Sequence, residues 1–176
     1  MLTIKPGHWE GLEGLGAEAL GELRPSAEAA VVDAAVYFVN ELKLTLTGQR
    51  HGREYTVRKR ATIRKTTGKN AGGLTRTYTA SAPGEPPAVL WGNLRNSVGA
   101  SAPVWSPGMV SVDVGVGLGK PPEPGDPDPG TSYARRLEFG GIDSRGVKIA
   151  ARPYMVPTET RATPRIEQLL ERRVGP

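Results

Sequence analysis

The chain has 176 residues, enough for one domain with a hydrophobic core of its own. It lacks cysteine, which excludes disulfides, thiolate metal sites and cysteine nucleophiles, and its two histidines, His8 and His51, leave little for a metal site or a catalytic triad. Lysine and arginine outnumber aspartate and glutamate by 23 to 18, so the modest net charge of +5 points to no partner until its distribution is read.

Residues 1–4 lack a basic run followed by an apolar one, so no secretory signal is expected, and no apolar stretch is long enough to span a membrane. Leu2 to Ile4 suits a short strand. From Trp9 to Leu23, Leu12, Leu15, Ala19 and Leu23 fall at helical spacing, although four glycines weaken that segment. A stronger helix is predicted from Ser26 to Leu46, opened by Pro25-Ser26 and stopped by Gly48. Its stripe is Val31, Ala35, Phe38 and Leu42, widened by Val32, Val36 and Val39. So broad a face calls for a sheet, and Val32, Val36, Phe38 and Val39 are expected to be buried on it.

Arg53 to Ile63 and Leu74 to Thr79 are rich in β-branched and aromatic residues. The glycine-rich stretch Gly68 to Gly73 between them predicts a β-hairpin over about residues 50–80. Between Gly48 and Ala80 stand nine basic residues, Arg50, Arg53, Arg58, Lys59, Arg60, Arg64, Lys65, Lys69 and Arg76, against the single acid Glu54. That stretch carries +8, leaving −3 for the rest of the chain. Such density fits an acidic protein face or nucleic acid, and equally a solvated hairpin.

Ala82 to Pro87 (APGEPP) is neither helix nor central strand, because its prolines fix φ and lack donors. A short helix over Gly92 to Val98 should bury Leu94 and Val98. Met109 to Leu118 alternates Val110, Val112, Val114 and Val116 with small or polar residues, the pattern of a half-buried strand. Pro121 to Gly130 (PPEPGDPDPG) reads as a mobile loop within about residues 120–131. Tyr133 to Phe139 suits a short helical or extended segment ended by Gly140-Gly141. Pro153 to Pro157 forms a rigid lead-in to a last helix, about Thr158 to Arg173, apolar at Ile166, Leu169 and Leu170 and basic in its final turn. No repeat and no interdomain linker interrupts residues 1–176. The expected fold is a single α+β domain: a long helix in the N-terminal half on an antiparallel sheet, a projecting β-hairpin and a C-terminal helix.

The sequence offers no recognisable catalytic set. Gly115-Val116-Gly117-Leu118-Gly119-Lys120 has the wrong spacing for a phosphate loop, and Pro121 stands where Ser or Thr should bind magnesium. Glycines there fit close backbone approach or a twisted edge. Asp126 and Asp128 fall short of a calcium ligand set, and His51 reads as an exposed loop residue. Tyr133 and Phe139 suit core or interface better than base stacking. No nucleophile, base and orienting group assemble, so neither an enzyme nor a cofactor nor a metal is expected.

Three stretches in order resemble one family. Thr79 to Val98 (TASAPGEPPAVLWGNLRNSV) is similar to the Ala-Pro-Gly-Glu-Pro-Pro motif and Leu-Arg helix of small tail-completion or neck proteins of long-tailed bacteriophages. Tyr133 to Gly141 (YARRLEFGG) and Ala151 to Glu159 (ARPYMVPTE) resemble two later segments of the same family, and Gly52 to Tyr55 is a weaker echo. Where that family usually has Asp-Thr-Gly before the Leu-Arg helix, this chain has Leu90-Trp91-Gly92, with Asn93 a substitute cap. The basic hairpin tip and the 121–130 loop are also longer than usual.

The resemblance implies a structural virion protein, made in the host cytoplasm: one subunit of a cyclic homo-oligomer, commonly a hexamer, at the head–tail junction. Its partners would be a head connector or head-closure protein and a tail terminator or tail tube protein. DNA would pass through the channel, and no membrane would be involved. The alternative is a nucleic-acid-binding protein using the hairpin. Candidate interface residues are Arg58, Lys59 and Arg60 on the hairpin, Trp91, Tyr133, Phe139 and Tyr154 as aromatic anchors, and Arg95, Arg152 and Glu138 as charged contacts. Arg95 and Arg152 can make directed pairs with a carboxylate, Glu138 or a neighbour's acid, within the subunit at least as readily as across an interface.

Overall fold

A computed structural model of the chain describes residues 2–4, 17–58, 75–89, 92–106, 109–119, 134–142 and 146–174. Its spine is a helix, α1 (Ala17–Thr47), that lies on an antiparallel sheet and against a C-terminal helix, α4 (Met155–Val174). The fold is mixed α and β, as the periodicities predict.

α1 buries Ala30, Val31, Ala34, Ala35, Phe38, Leu42 and Leu46. The stripe through Val31, Ala35, Phe38 and Leu42 is therefore the core face, with Val32 and Val39 half-buried at its margin. Val36 departs from expectation at 52% exposed. At 100° per residue it lies about 140° round the helix from Val31, too far to reach the sheet. The helix also starts at Ala17, not at Ser26, and runs through Pro25. A proline forfeits the one bond its nitrogen would give to the carbonyl four residues back, and here the helix continues past that loss.

The sheet centres on β6 (Met109–Val116), whose Val110, Val112 and Val114 point into the core. β1 (Leu2–Ile4) pairs along one side, Thr3 opposite Asp113. On the other side lie β4 (Val98–Ala100) and β5 (Val104–Ser106), two pieces of one bent edge. At the bend, Ser101 N–H donates to the Asp113 carbonyl (2.8 Å), and Ser101 Oγ accepts from Asp113 N–H (3.0 Å).

Tyr154, just before α4, and Thr158, Ala162 and Ile166 within it are buried at four-residue spacing and form a ridge against α1. The two helices are antiparallel: Thr45 Oγ1 meets Thr158 Oγ1 (2.8 Å) at one end, and Ser26 Oγ donates to the Arg173 carbonyl (2.6 Å) at the other. Arg161 with Glu41 (3.2 Å) and Arg173 with Asp33 (2.7 Å) flank the seam as exposed ion pairs, adding little individually. α4 begins at Met155, earlier than the expected Thr158. Pro157 does not block that start, because first-turn amides have no helical partner to lose.

The short helix α2 (Asn93–Ser97) buries Leu94, and Val98 beyond it, as expected. Asn93 is its first residue and not its cap. Gly92 holds the cap position at φ 86°, left-handed backbone that suits glycine. α3 (Ala134–Phe139) resolves the helical-or-extended choice as helix, ended by Gly140 at φ +73°. β7 (Gly141–Ile142) and β8 (Lys148–Ile149) then form a small antiparallel ribbon.

The strands near Tyr55 and Tyr78 are not part of the sheet around Val112. β2 (Glu54–Arg58) and β3 (Thr75–Thr79) pair only with each other among the described residues. Tyr55, Val57 and Tyr78 give the ribbon at most a short apolar patch, and no other strand among the described residues pairs with it.

Candidate interaction surface

One carboxylate ties two of the three motif segments together. Glu138, only 6% exposed, ends α3 and reaches the start of α4. Its Oε2 accepts the amide protons of Tyr154 (2.8 Å) and Met155 (3.0 Å), and its Oε1 accepts that of Val156 (3.1 Å). These amides have no partners inside α4, and the helix dipole favours an anion there. Alongside, Arg152 N–H donates to the Leu137 carbonyl (2.6 Å). The chain before α4 is thus pinned to α3 by backbone and side chain together.

The residue after Glu138 faces the opposite way. Phe139 is 71% exposed, and Ile142 and Val147 on the following ribbon are exposed too. So is Val156, whose amide the same carboxylate holds. Gly140 allows the reversal: a Cβ there would lie 3.0 Å from the Ile149 carbonyl oxygen, besides the strain of its positive φ. Exposed apolar groups on a hydrogen-bonded mount lose little entropy on docking, which suits contact with another protein.

A second lock sits at the hairpin base. Glu85, from the Pro-rich elbow, accepts Ala82 N–H (2.8 Å) and His51 N–H (3.1 Å) on Oε2, and its Oε1 meets His51 Nδ1 at 2.6 Å. The Ala82 amide, then the His51 ring and amide, lower its pKa to about 2. The Arg50 guanidinium donates to the carbonyls of Thr45 (2.7 Å) and Leu46 (3.1 Å) at the end of α1, and to Pro87 (3.1 Å) in the elbow. Burial lowers its pKa and the nearby Glu85 opposes that shift. Gly52 N–H to the Ala80 carbonyl (3.0 Å) and Ala80 N–H to the Arg53 carbonyl (2.9 Å) close the stem. Above this base the stem carries a stacked pair, Tyr55 and Tyr78, with centroids 5.9 Å apart and Arg53 over the Tyr55 ring.

The expected site residues divide sharply. Phe139 is exposed as an anchor should be, whereas Tyr154, at 1% exposure, belongs to the core beneath α4. Its position at the head of the ridge through Thr158, Ala162 and Ile166 explains that burial. Glu138 pairs with neither Arg95 nor Arg152; the partners given for its oxygens are the backbone amides at the start of α4. Arg95 donates to its neighbour Asn96 Oδ1 (3.2 Å from Nη2), and the buried Arg152 Nε has no hydrogen-bond partner among the described residues. The stem backbone of Arg58 is described but not its side chain; Lys59, Arg60, Trp91 and Tyr133 lie outside the described residues, as does the 121–130 loop. Sequence reading gave Glu85 and Arg50 no individual role and passed over Trp105. That indole donates to Glu28 Oε2 (3.0 Å) beneath Arg24, clamping β5 to α1.

The glycine run after β6 is not a phosphate cradle. Gly117 N–H and Gly119 N–H both donate to the Ser97 carbonyl, at 2.8 and 2.9 Å. Among the described residues no group of acids and histidines has a metal-binding arrangement, and no helix is long and apolar enough to cross a membrane. No protein-family model, no curated protein and no solved structure matches the chain.

Proposed function

We propose that the protein is a structural subunit of the ring that joins head to tail in a long-tailed phage, with no enzymatic role. The observation that carries the reading is the pairing of Glu138 with the start of α4, which leaves the adjacent Phe139 exposed on a fixed support. Two of the three family-like segments meet at that contact, and the third holds the hairpin base through Glu85. Packing and capping roles of this kind fit motifs that serve assembly and define no catalytic set.

In this reading Phe139, Ile142 and Val147 contact the next subunit of a closed, head-to-tail ring, commonly of six. The hairpin meets a head connector or head-closure protein, or a tail terminator or tube protein. A sleeve of arginines would hold DNA that must slide, because counterion release makes such contacts adhesive. A protein target for the hairpin is therefore favoured over DNA in the channel. Disrupting the coding sequence in a phage that carries it should yield full heads and complete tails that stay apart, rejoined by adding the protein. Normal joining without the protein would exclude the role.

A further inference from the structure

We infer that the corner made by α3 and the β7–β8 ribbon docks on the outer line of α4 in the next copy of the chain, cations and apolar groups of one subunit against acids of its neighbour. The inference rests on the ring proposed above and adds the two surfaces that close it. On α3, Arg135 and Phe139 stand four residues apart and so share one side of the helix, both exposed. On the ribbon, Lys148 lies directly opposite Ile142, which sets the two side chains on one face, again exposed. Each of these outward apolar groups thus has a cation beside it. Neither Arg135 nor Lys148 has an ion pair among the described residues. Arg152, tied to α3 through its amide, keeps a buried Nε with no hydrogen-bond partner among them.

The matching surface must offer unengaged acids and lie apart from the corner, because a closing head-to-tail contact uses both at once. Glu28, Asp33, Glu41 and Glu85 are engaged within the subunit, by Trp105, Arg173, Arg161 and His51. Two exposed acids without an ion pair among the described residues share a face: Glu167 and Glu171 on α4. At about 100° per residue they fall on one line with the exposed Thr160, Thr163 and Pro164, on the side away from the ridge that packs on α1. The arginines of α4 lie about 100° or more from the middle of that line, so its only charges are negative. Glu167 and Glu171 also stand roughly 16 and 22 Å along the axis from Val156, clear of the corner. The threonine methyls and the Pro164 ring give Phe139 and Ile142 carbon to pack on, while Arg135, Lys148 and Arg152 meet the carboxylates.

Sedimentation of the full chain and two double variants tests the pairing. Arg135→Glu with Lys148→Glu, and separately Glu167→Lys with Glu171→Lys, should each raise the concentration for half-assembly about tenfold or more, because like charges then face each other. Mixed in equal amounts, the two variants should assemble as the parent does, since alternating subunits again join opposite charges at every contact. All four side chains are exposed, so thermal unfolding of each variant should match the parent. Assembly of both variants at the parent's concentration, or loss without rescue on mixing, would overturn the pairing and leave the ring standing. A parent chain that never assembles would overturn both.

Discussion

The carboxylate of Glu138 holds the backbone amide of Tyr154 at 2.8 Å, so an acid at the end of one helix fixes where another begins. With Met155 and Val156 included, three donors converge on one buried anion. Glu138→Gln keeps the shape but sets an NH2 donor where one accepting oxygen stood, while Glu138→Ala leaves all three donors unpaired. We expect losses of about 1 and about 3 kcal/mol respectively in urea unfolding. A loss below about 0.5 kcal/mol for the alanine variant would show that the cap contributes little.

Tyr154 and Phe139 should separate folding from assembly. Tyr154→Ala removes a ring that is 1% exposed and should cost about 3–5 kcal/mol. Phe139→Ser touches a ring that is 71% exposed and should leave stability within about 0.5 kcal/mol. If Phe139 anchors a subunit contact, that variant should sediment as smaller species than the parent chain. A stable Phe139→Ser protein with unchanged sedimentation would remove Phe139 from the interface.

These two residues also mark how far sequence reading reaches. The β6 strand and the Val31–Leu42 stripe were legible because periods of 2 and 3.6 are written in side-chain type. Glu138 could be singled out, but its partners could not. They are backbone amides 16 to 18 residues away, and every non-proline residue has one. Tyr154 looked like an anchor because aromatic residues serve cores and interfaces alike. Its spacing with Thr158, Ala162 and Ile166 was the available signal, obscured by Pro153 and Pro157, which put the expected helix start at Thr158. The hairpin was legible as a hairpin, but alternation does not record which strands pair, so its separation from the main sheet was not.

Close backbone approach governs the glycines around the end of β6. A Cβ on Gly99 would lie 2.4 Å from the Leu118 carbonyl, and one on Gly119 would lie 2.4 Å from that of Asn96. A Cβ on Gly115 would meet nothing nearer than Leu118 Cδ1 at 4.0 Å. Gly99→Ala and Gly119→Ala should each lower stability by about 2 kcal/mol or more, and Gly115→Ala by less than about 0.5 kcal/mol. Thermal unfolding of the three variants gives the ranking. Equal tolerance at all three sites would contradict the contact of the α2–β4 backbone with the turn after β6.

Acid should loosen the hairpin base before it unfolds the domain. Glu85 has its pKa lowered from 4.5 to about 2, so its contribution is complete above pH 4.5 and disappears as pH falls through about 2. Amide exchange at His51 and Ala82 should accelerate over that interval, and Glu85→Gln should already show fast exchange at neutral pH. Fast exchange of the parent chain at pH 6, or none gained by the variant, would contradict the latch.

Electron microscopy of the purified protein at rising concentration decides whether the proposed closed ring forms. Uniform rings with an axial hole, commonly of six subunits, should appear, and the Phe139→Ser protein should fail to form them. Monodisperse monomers at every concentration, with no ring recruited when purified tails or connectors are added, would contradict the proposed ring.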